Sequence, residues 1–284
     1  MPADRSSILA LGGKGRRFSY SRTDTILYAL GCGLGQASCD AAELQYVYER
    51  DLIALPTMAC VLTWGFDTLA GAGLDFSKVV HAEQRLEMHA ALPAEGEIVA
   101  DWSVDEVIDK GPGKGALILL RTDLYSDSGD PIATASRAVL ARGDGGIGGP
   151  QSGGFPPHDV PDRAPDTTRS IVVPTNLALL YRLNGDTNPL HADPDAARAA
   201  GFPAPILHGL CTYGIAGRAL VEAFCDFDAR RLRSLDARFS APVFPGDTLT
   251  FRFWGAKGRQ EVGFDAVVEA RNATVLRGGR MTYL

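Results

Sequence analysis

The sequence predicts an α+β protein made of two similar halves, each a helical lead followed by an antiparallel sheet, with the two sheets joined into one. Three observations lead to this class. From Gly143 to Pro165 the chain reads GDGGIGGPQSGGFPPHDVPDRAP. Gly and Pro dominate it and no hydrophobic period survives, so it reads as a linker or long surface crossing between residues 1–142 and 166–284. Landmarks recur on either side of it at a nearly constant offset: Ile26 and Leu179 lie 153 positions apart, Leu55 and Leu207 152, and Gly96 and Gly246 150. Self-similarity at a fixed offset marks an internal repeat. The tail of each half is rich in Val, Ile, Leu and Thr and punctuated by turn residues, the pattern of short antiparallel strands.

The elements follow in order. An apolar helical stretch opens each half, with Ile26–Gly31 in the first and Leu179–Asn184 in the second. A second helix is expected after a short extended entry, starting near Leu55-Pro56-Thr57 and near Leu207-His208-Gly209. Its second-half copy, over Thr212–Phe224, carries Ala, Gly, Ile and Leu on every side. A helix apolar all round is buried, so the sheet should wrap around it. Turns at Leu92–Gly96 and Phe244–Asp247 lead into the strands. These are expected over 97–109, 116–126 and 132–141, with turns at Gly111-Pro112-Gly113 and Asp127–Asp130, and over 248–255, 262–272 and 274–284.

Composition excludes several function classes. The 284 residues are 45% hydrophobic and 22% charged, ordinary for a globular protein that needs no staples. A formal net charge of -6 offers no bulk attraction for nucleic acid. No apolar run approaches the roughly 18 residues that span a bilayer, and no secretory signal opens the chain. The five cysteines, Cys32, Cys39, Cys60, Cys211 and Cys225, form no CxxC pair, so reduced thiols and a cytosolic setting are expected rather than a disulfide framework or a zinc site.

The chemistry concentrates in Tyr181–Gly209, YRLNGDTNPLHADPDAARAAGFPAPILHG. Gly185-Asp186 breaks the preceding helix, and Asn188-Pro189 forces a turn because Pro holds its predecessor extended. His191 follows five residues after Asp186, a spacing that on a turn can aim a carboxylate and an imidazole into one cleft. A hydration needs such a pair, one group taking a proton from water while the other gives one to carbon. Asn188 between them can hold the water by its amide. Each residue alone also fits a plain turn or cap, and from the residues themselves both readings stay open. By the offset of 153, Asp186 falls opposite Gly33 and His191 opposite Ser38, so the architecture does not itself demand these groups. Gly209 should open the buried helix with its N–H unpaired at the positive end of the dipole, where it can polarise a carbonyl or merely start a helix. His208 beside it reads as a structural hydrogen-bonder.

GDTNPLH followed by FPAPILHGLCTYG resembles the signature of the (R)-specific 2-enoyl-CoA hydratases, the hydratase 2 family of MaoC-like dehydratases. The resemblance runs through Tyr46-Val47-Tyr48-Glu49, Leu55-Pro56-Thr57, His81-Ala82-Glu83-Gln84, Asp109-Lys110-Gly111 and Ala237–Val243. The chain is similar to the hydratase 2 unit of the multifunctional enzymes of β-oxidation. This implies a double hot-dog fold and reversible hydration of trans-2-enoyl-CoA to (3R)-3-hydroxyacyl-CoA without a metal or redox cofactor. It implies that Asp186, Asn188 and His191 are catalytic and that Gly209 is the oxyanion donor. It also implies that His81, Ala82, Lys110 and Phe239 contact the acyl-CoA. The family usually has Gly where Ala82 stands, which adds one methyl near the ligand. Without the resemblance Lys110 reads as a solvated turn residue.

The implied partner is an acyl-CoA thioester, with no nucleic acid and no membrane. A homodimer is a common family assembly, although a chain holding both repeats can complete the unit alone. Three other readings share the architecture: an acyl-CoA thioesterase, a dehydratase acting on acyl-carrier protein, and a non-enzymatic acyl-CoA binder. A carrier-protein enzyme would want a basic docking face, which the acidic balance does not suggest. A mere binder has no use for an acid and base.

Overall fold

The structure is a computed structural model that describes residues 3–36, 40–66, 69–255 and 258–284. A short helix α1 (Arg5–Leu9) and strand β1 (Gly12–Tyr20) precede α2 (Arg22–Gly31) and α3 (Ala41–Val47), and β2 (Val79–Met88), β3 (Gly96–Asp109), β4 (Ala116–Ser126) and β5 (Pro131–Ala141) complete the first half. The second half runs β6 (Thr167–Val172), α4 (Leu177–Tyr181), α5 (Pro194–Ala199), α6 (Gly209–Phe224), β7 (Leu232–Phe239), β8 (Thr248–Trp254), β9 (Glu261–Val268) and β10 (Ala273–Tyr283).

All the strands form one ten-stranded sheet in the order β1-β3-β4-β5-β2-β7-β10-β9-β8-β6. The second five repeat the order of the first five in mirror sequence, so the halves meet where β2 runs antiparallel to β7. The six strands expected from the sequence tails are present. β9 stops at Val268, where a 3-10 turn and Asn272 in the left-handed region (φ 47°) lead into β10. β1, β2, β6 and β7 were not singled out by composition, because each mixes charged residues with small ones and shows no clean alternation.

α6 lies buried as its composition requires, with every residue from Leu210 to Val221 shielded from solvent. Two glycines let the first half close on it. A Cβ built on Gly214 would lie 2.5 Å from Cys32 Sγ, and one on Gly217 2.8 Å from Thr57 Cγ2. Arg218 is buried mid-helix and tolerable there because its guanidinium meets Glu43 at 2.6 Å and the Gly33 carbonyl.

The helix expected near Leu55 differs. Pro56–Cys60 forms a 3-10 turn, followed by further turns to Phe66. Gly65 at φ 81°, with Gly71 and Gly73 also left-handed, stops helical propagation. All five residues of the 3-10 turn are buried, and Thr57 packs against α6, so this segment serves as a pad under the second half's helix. Ser38, the position opposite His191 in the repeat, lies outside the described residues, as does Cys39. The Gly/Pro-rich crossing passes over the sheet, where Arg85 and Arg238 donate to the carbonyls of Pro156 at 2.5 Å and Phe155 at 3.1 Å.

Candidate active site

The 3-10 turn after α4 ends at Gly185, which takes a left-handed φ of 116°. That turn delivers Asp186 into a half-buried position, where its Oδ1 accepts from the Asn188 N–H at 3.1 Å. Asn188 in turn caps the 3-10 turn Pro189–His191 by accepting the Leu190 N–H on Oδ1 at 3.0 Å. The cap uses one lone pair of the Asn188 amide oxygen and leaves its NH₂ donor uncommitted to the turn. His191 closes the turn and is only 8% exposed. Its Nδ1 lies 2.8 Å from the Ile206 carbonyl. A carbonyl can only accept, so Nδ1 carries the proton and the Nε2 of neutral His191 has a free lone pair. Burial lowers the His191 pKa, opposed by the Ile206 bond and by the Asp186 charge. The resting ring is thereby kept a base.

His208 is stacked on His191, with ring centroids 3.8 Å apart and planes 26° apart. The next residue, Gly209, starts α6, and no side chain caps that terminus. Its N–H is therefore one of the unpaired donors at the helix's positive end. The Phe239 ring lies over Gly209, 3.5 Å from where a Cβ would stand. His81 packs on Phe239 at 4.9 Å, bringing a first-half side chain to the second-half helix start across the β2–β7 seam. The ladder between β2 and β5 slips between His81 and Glu83, so Ala82 is the extra residue of a bulge that re-aims its neighbours. Burial, with Arg137 nearby, pushes the His81 pKa down to about 3.

The structure thus brings seven of the eight sequence-expected residues into two linked groups, Asp186-Asn188-His191 and Gly209-Phe239-His81-Ala82. Lys110 joins neither. It follows β3, whose last residue aligns through Ala116 and Ala141 with Val79 at the head of β2, three strand spacings or about 14 Å to the side. The turn that carries it is firm: the Asp109 carboxylate accepts from the N–H groups of Gly111, Gly146 and Gly148, which hold its pKa below the usual carboxylate range.

Asp186, His191 and His208 each offer a ligand atom within 4.8 Å of the others. The two rings, however, lie nearly parallel, 26° apart, whereas the ligands of a tetrahedral ion converge on one centre. The arrangement suits proton transfer better than chelation.

Two neighbours escaped sequence reasoning. Trp64 of the first half is 42% exposed and covers the Gly185 turn, 3.2 Å from where a Cβ would sit. In the sequence it is one aromatic in an apolar run. Tyr181 packs on His208 at 5.0 Å and reads in the sequence as helix core.

Comparison with known proteins places the chain in a family. Residues 18–143 match the model of the MFE-2 hydratase 2 N-terminal domain and residues 157–276 that of the MaoC-like domain. An enoyl-CoA hydratase of Mycobacterium tuberculosis is 40% identical, over 98% of both chains. A solved MaoC-like dehydratase of Phytophthora capsici superposes with a TM-score of 0.88 at 31% identity, covering 99% of this chain and 98% of that one. A further Mycobacterium tuberculosis structure, described as a double hot-dog fold, matches at a TM-score of 0.60 and 15% identity over 99% of this chain and 98% of its own. The shared architecture is the double hot-dog, and the chain belongs to the hydratase 2 family of MaoC-like dehydratases.

Proposed function

We propose that the protein catalyses the reversible hydration of trans-2-enoyl-CoA to (3R)-3-hydroxyacyl-CoA. The observation that carries the reading is the state of His191. Its Nδ1 is committed to the Ile206 carbonyl, so Nε2 is a directed base beside Asp186 and near the free N–H of Gly209. The relatives' names support the substrate class.

In the forward direction His191 Nε2 takes a proton from water as its oxygen bonds to C3 of the enoyl group. The C2–C3 π electrons move onto the thioester, and the Gly209 N–H stabilises the oxygen that gains charge. Asp186, which enters the cycle protonated, supplies its proton to C2 as the enolate collapses and is left as a carboxylate. A proton exchanged between His191 and Asp186 restores the starting state, and the reverse sequence dehydrates the 3-hydroxy thioester. Asn188, through its NH₂, steadies the water. Phe239, His81 and Ala82 line the approach to Gly209, and Lys110, about 14 Å to the side by strand spacing, meets a distal part of the CoA.

One chain supplies Trp64 and His81 from its first half and the catalytic turn from its second, so a homodimer is not required to complete the site. Residues 1–142 serve binding and 166–284 catalysis. A reducing compartment, in our reading the cytosol, is supported by Cys32, Cys60, Cys211 and Cys225 being buried thiols outside any disulfide. No helix among the described residues is long and apolar enough to cross a membrane.

The test is trans-2-decenoyl-CoA with purified protein, following enoyl absorbance and product configuration. Loss of absorbance with a (3R)-hydroxy product is expected. Release of free CoA thiol without a hydroxy product would establish a thioesterase instead.

A further inference from the structure

We propose that His208 is a positioning residue that registers the acid, the base and the oxyanion donor against one another. The inference rests on the hydratase reading for its catalytic consequence, and on geometry alone for the contacts themselves.

The ring is 1% exposed and touches each partner differently. Its face stacks on His191 at 3.8 Å, which fixes the plane in which the His191 Nε2 lone pair points. Its Nε2 lies 3.2 Å from the Asp186 carbonyl. That carbonyl can only accept, so Nε2 carries a hydrogen and ties down the turn holding the acid. Its own carbonyl belongs to the peptide whose N–H is Gly209's, and the His208 backbone (φ -58°, ψ 138°) sets the direction of that donor. Tyr181 braces the ring at 5.0 Å. One residue thus touches the base through its ring and the backbone of the acid through Nε2, and its carbonyl carbon is bonded to the nitrogen of the oxyanion donor.

The remaining nitrogen makes the role specific. Nδ1 is buried and has no hydrogen-bond partner among the described residues. Nε2 already donates to a carbonyl, so a second hydrogen on Nδ1 would be a buried donor with no partner, which is costly. The neutral Nε2–H form is therefore selected. The charged and titratable groups facing the ring are Asp186, Arg182, His191 and Tyr181. Burial, the His191 ring and Arg182 outweigh the Asp186 carbonyl bond and push the His208 pKa down to about 3. Of two rings in van der Waals contact, only His191 then accepts a proton at neutral pH.

Two measurements test this. The first is the ¹⁵N tautomer state of both imidazoles in the unaltered protein between pH 4.5 and pH 8. His208 should hold the neutral Nε2–H form throughout. A His208 that titrates in that range, or that carries its proton on Nδ1, overturns the proposal whether or not enoyl-CoA is turned over. The second compares His208→Gln, which keeps an N–H donor but not the stack, with His208→Phe, which keeps the stack but not the donor. Each should lower kcat by about tenfold or more through misplacement of the reacting groups, with KM changed less than about threefold. In His208→Gln the lost stack admits water beside His191, so the acid limb of the pH–kcat profile should move to higher pH. A folded His208→Gln protein with unchanged kcat and an unmoved acid limb refutes the positioning role. If wild-type protein leaves enoyl-CoA untouched, the proposed reaction fails, and the tautomer experiment still decides the geometry.

Discussion

The Phe239 ring packs against Gly209 at ordinary van der Waals distance, 3.5–3.7 Å from the place a Cβ would take. A methyl therefore fits there without displacing backbone, at the first position of a helix, where Ala is intrinsically better than Gly by up to ~1 kcal/mol. Gly209→Ala should fold with an unchanged or slightly raised melting temperature. The same methyl occupies the approach to the N–H, so kcat should fall by roughly tenfold to a hundredfold, toward the loss seen when an oxyanion donor is removed. Full activity in a stable Gly209→Ala protein would show that the thioester oxygen binds elsewhere.

In the proposed reaction Asp186 and His191 divide proton transfer between them, so removing either should stop turnover without unfolding the chain. Asp186 sits on a half-buried turn and makes one backbone hydrogen bond through Oδ1, which Asn retains. Asp186→Asn and His191→Gln should each lower kcat by about 10²–10⁴ while the circular dichroism spectrum stays native. Combining the two changes should cost little more than either alone, since groups acting as a unit are not additive. Multiplicative losses would mean that the two act in separate steps.

Much of this arrangement was legible in the sequence, for reasons that differ by element. Strands β3, β4 and β5 announced themselves because their β-branched runs are closed by Gly-Pro-Gly and Asp-Ser-Gly-Asp turns. α6 did so because it is apolar on every side. The pair Asp186 and His191 stood out because Gly185 and Pro189 force a turn around them. β2 and β7 were silent: they carry Glu83, Arg85, Asp236 and Arg238, whose pairs across the seam form only once the halves meet. The missing first-half helix was equally hidden, because Leu55-Pro56-Thr57 is a sound helix start and only Gly65 and its neighbours end it early. His208 looked structural because no sequence period shows that its ring lies on His191.

Stability should fall with acid in a way traceable to His208. Its folded pKa is depressed to about 3, while in the unfolded chain it returns to ~6.5. Between those values the unfolded state binds the extra proton, so stability is highest above pH 6.5 and is lost as pH falls toward 3. The slope from this one group is at most about 1.4 kcal/mol per pH unit. Urea midpoints for the wild type and His208→Gln should converge as pH drops from 7 to 4, because the variant lacks this proton linkage. Parallel curves over that range would place the titration on other groups.

The seam between the halves offers the last test, because Glu83 on β2 stands directly opposite Arg238 on β7. Glu83 is 7% exposed and accepts from Arg238 at 2.7 Å and from Arg85 at 2.7 Å. Arg85 also lies 3.9 Å from Asp236, whose other partner is His158 of the crossing segment at 2.7 Å. Glu83→Gln leaves two guanidiniums facing one carboxylate. Breaking a fully buried pair costs about 3–5 kcal/mol; Arg238 retains some access to water, so about 2–3 kcal/mol is expected, read as a lower urea midpoint. Since β2 and β7 belong to one sheet, unfolding should remain a single transition, and the loss should appear equally in the fluorescence of Trp102 in β3 and Trp254 in β8. Separate transitions for the two halves would mean that the seam is a docking contact between independent units instead of part of a shared core.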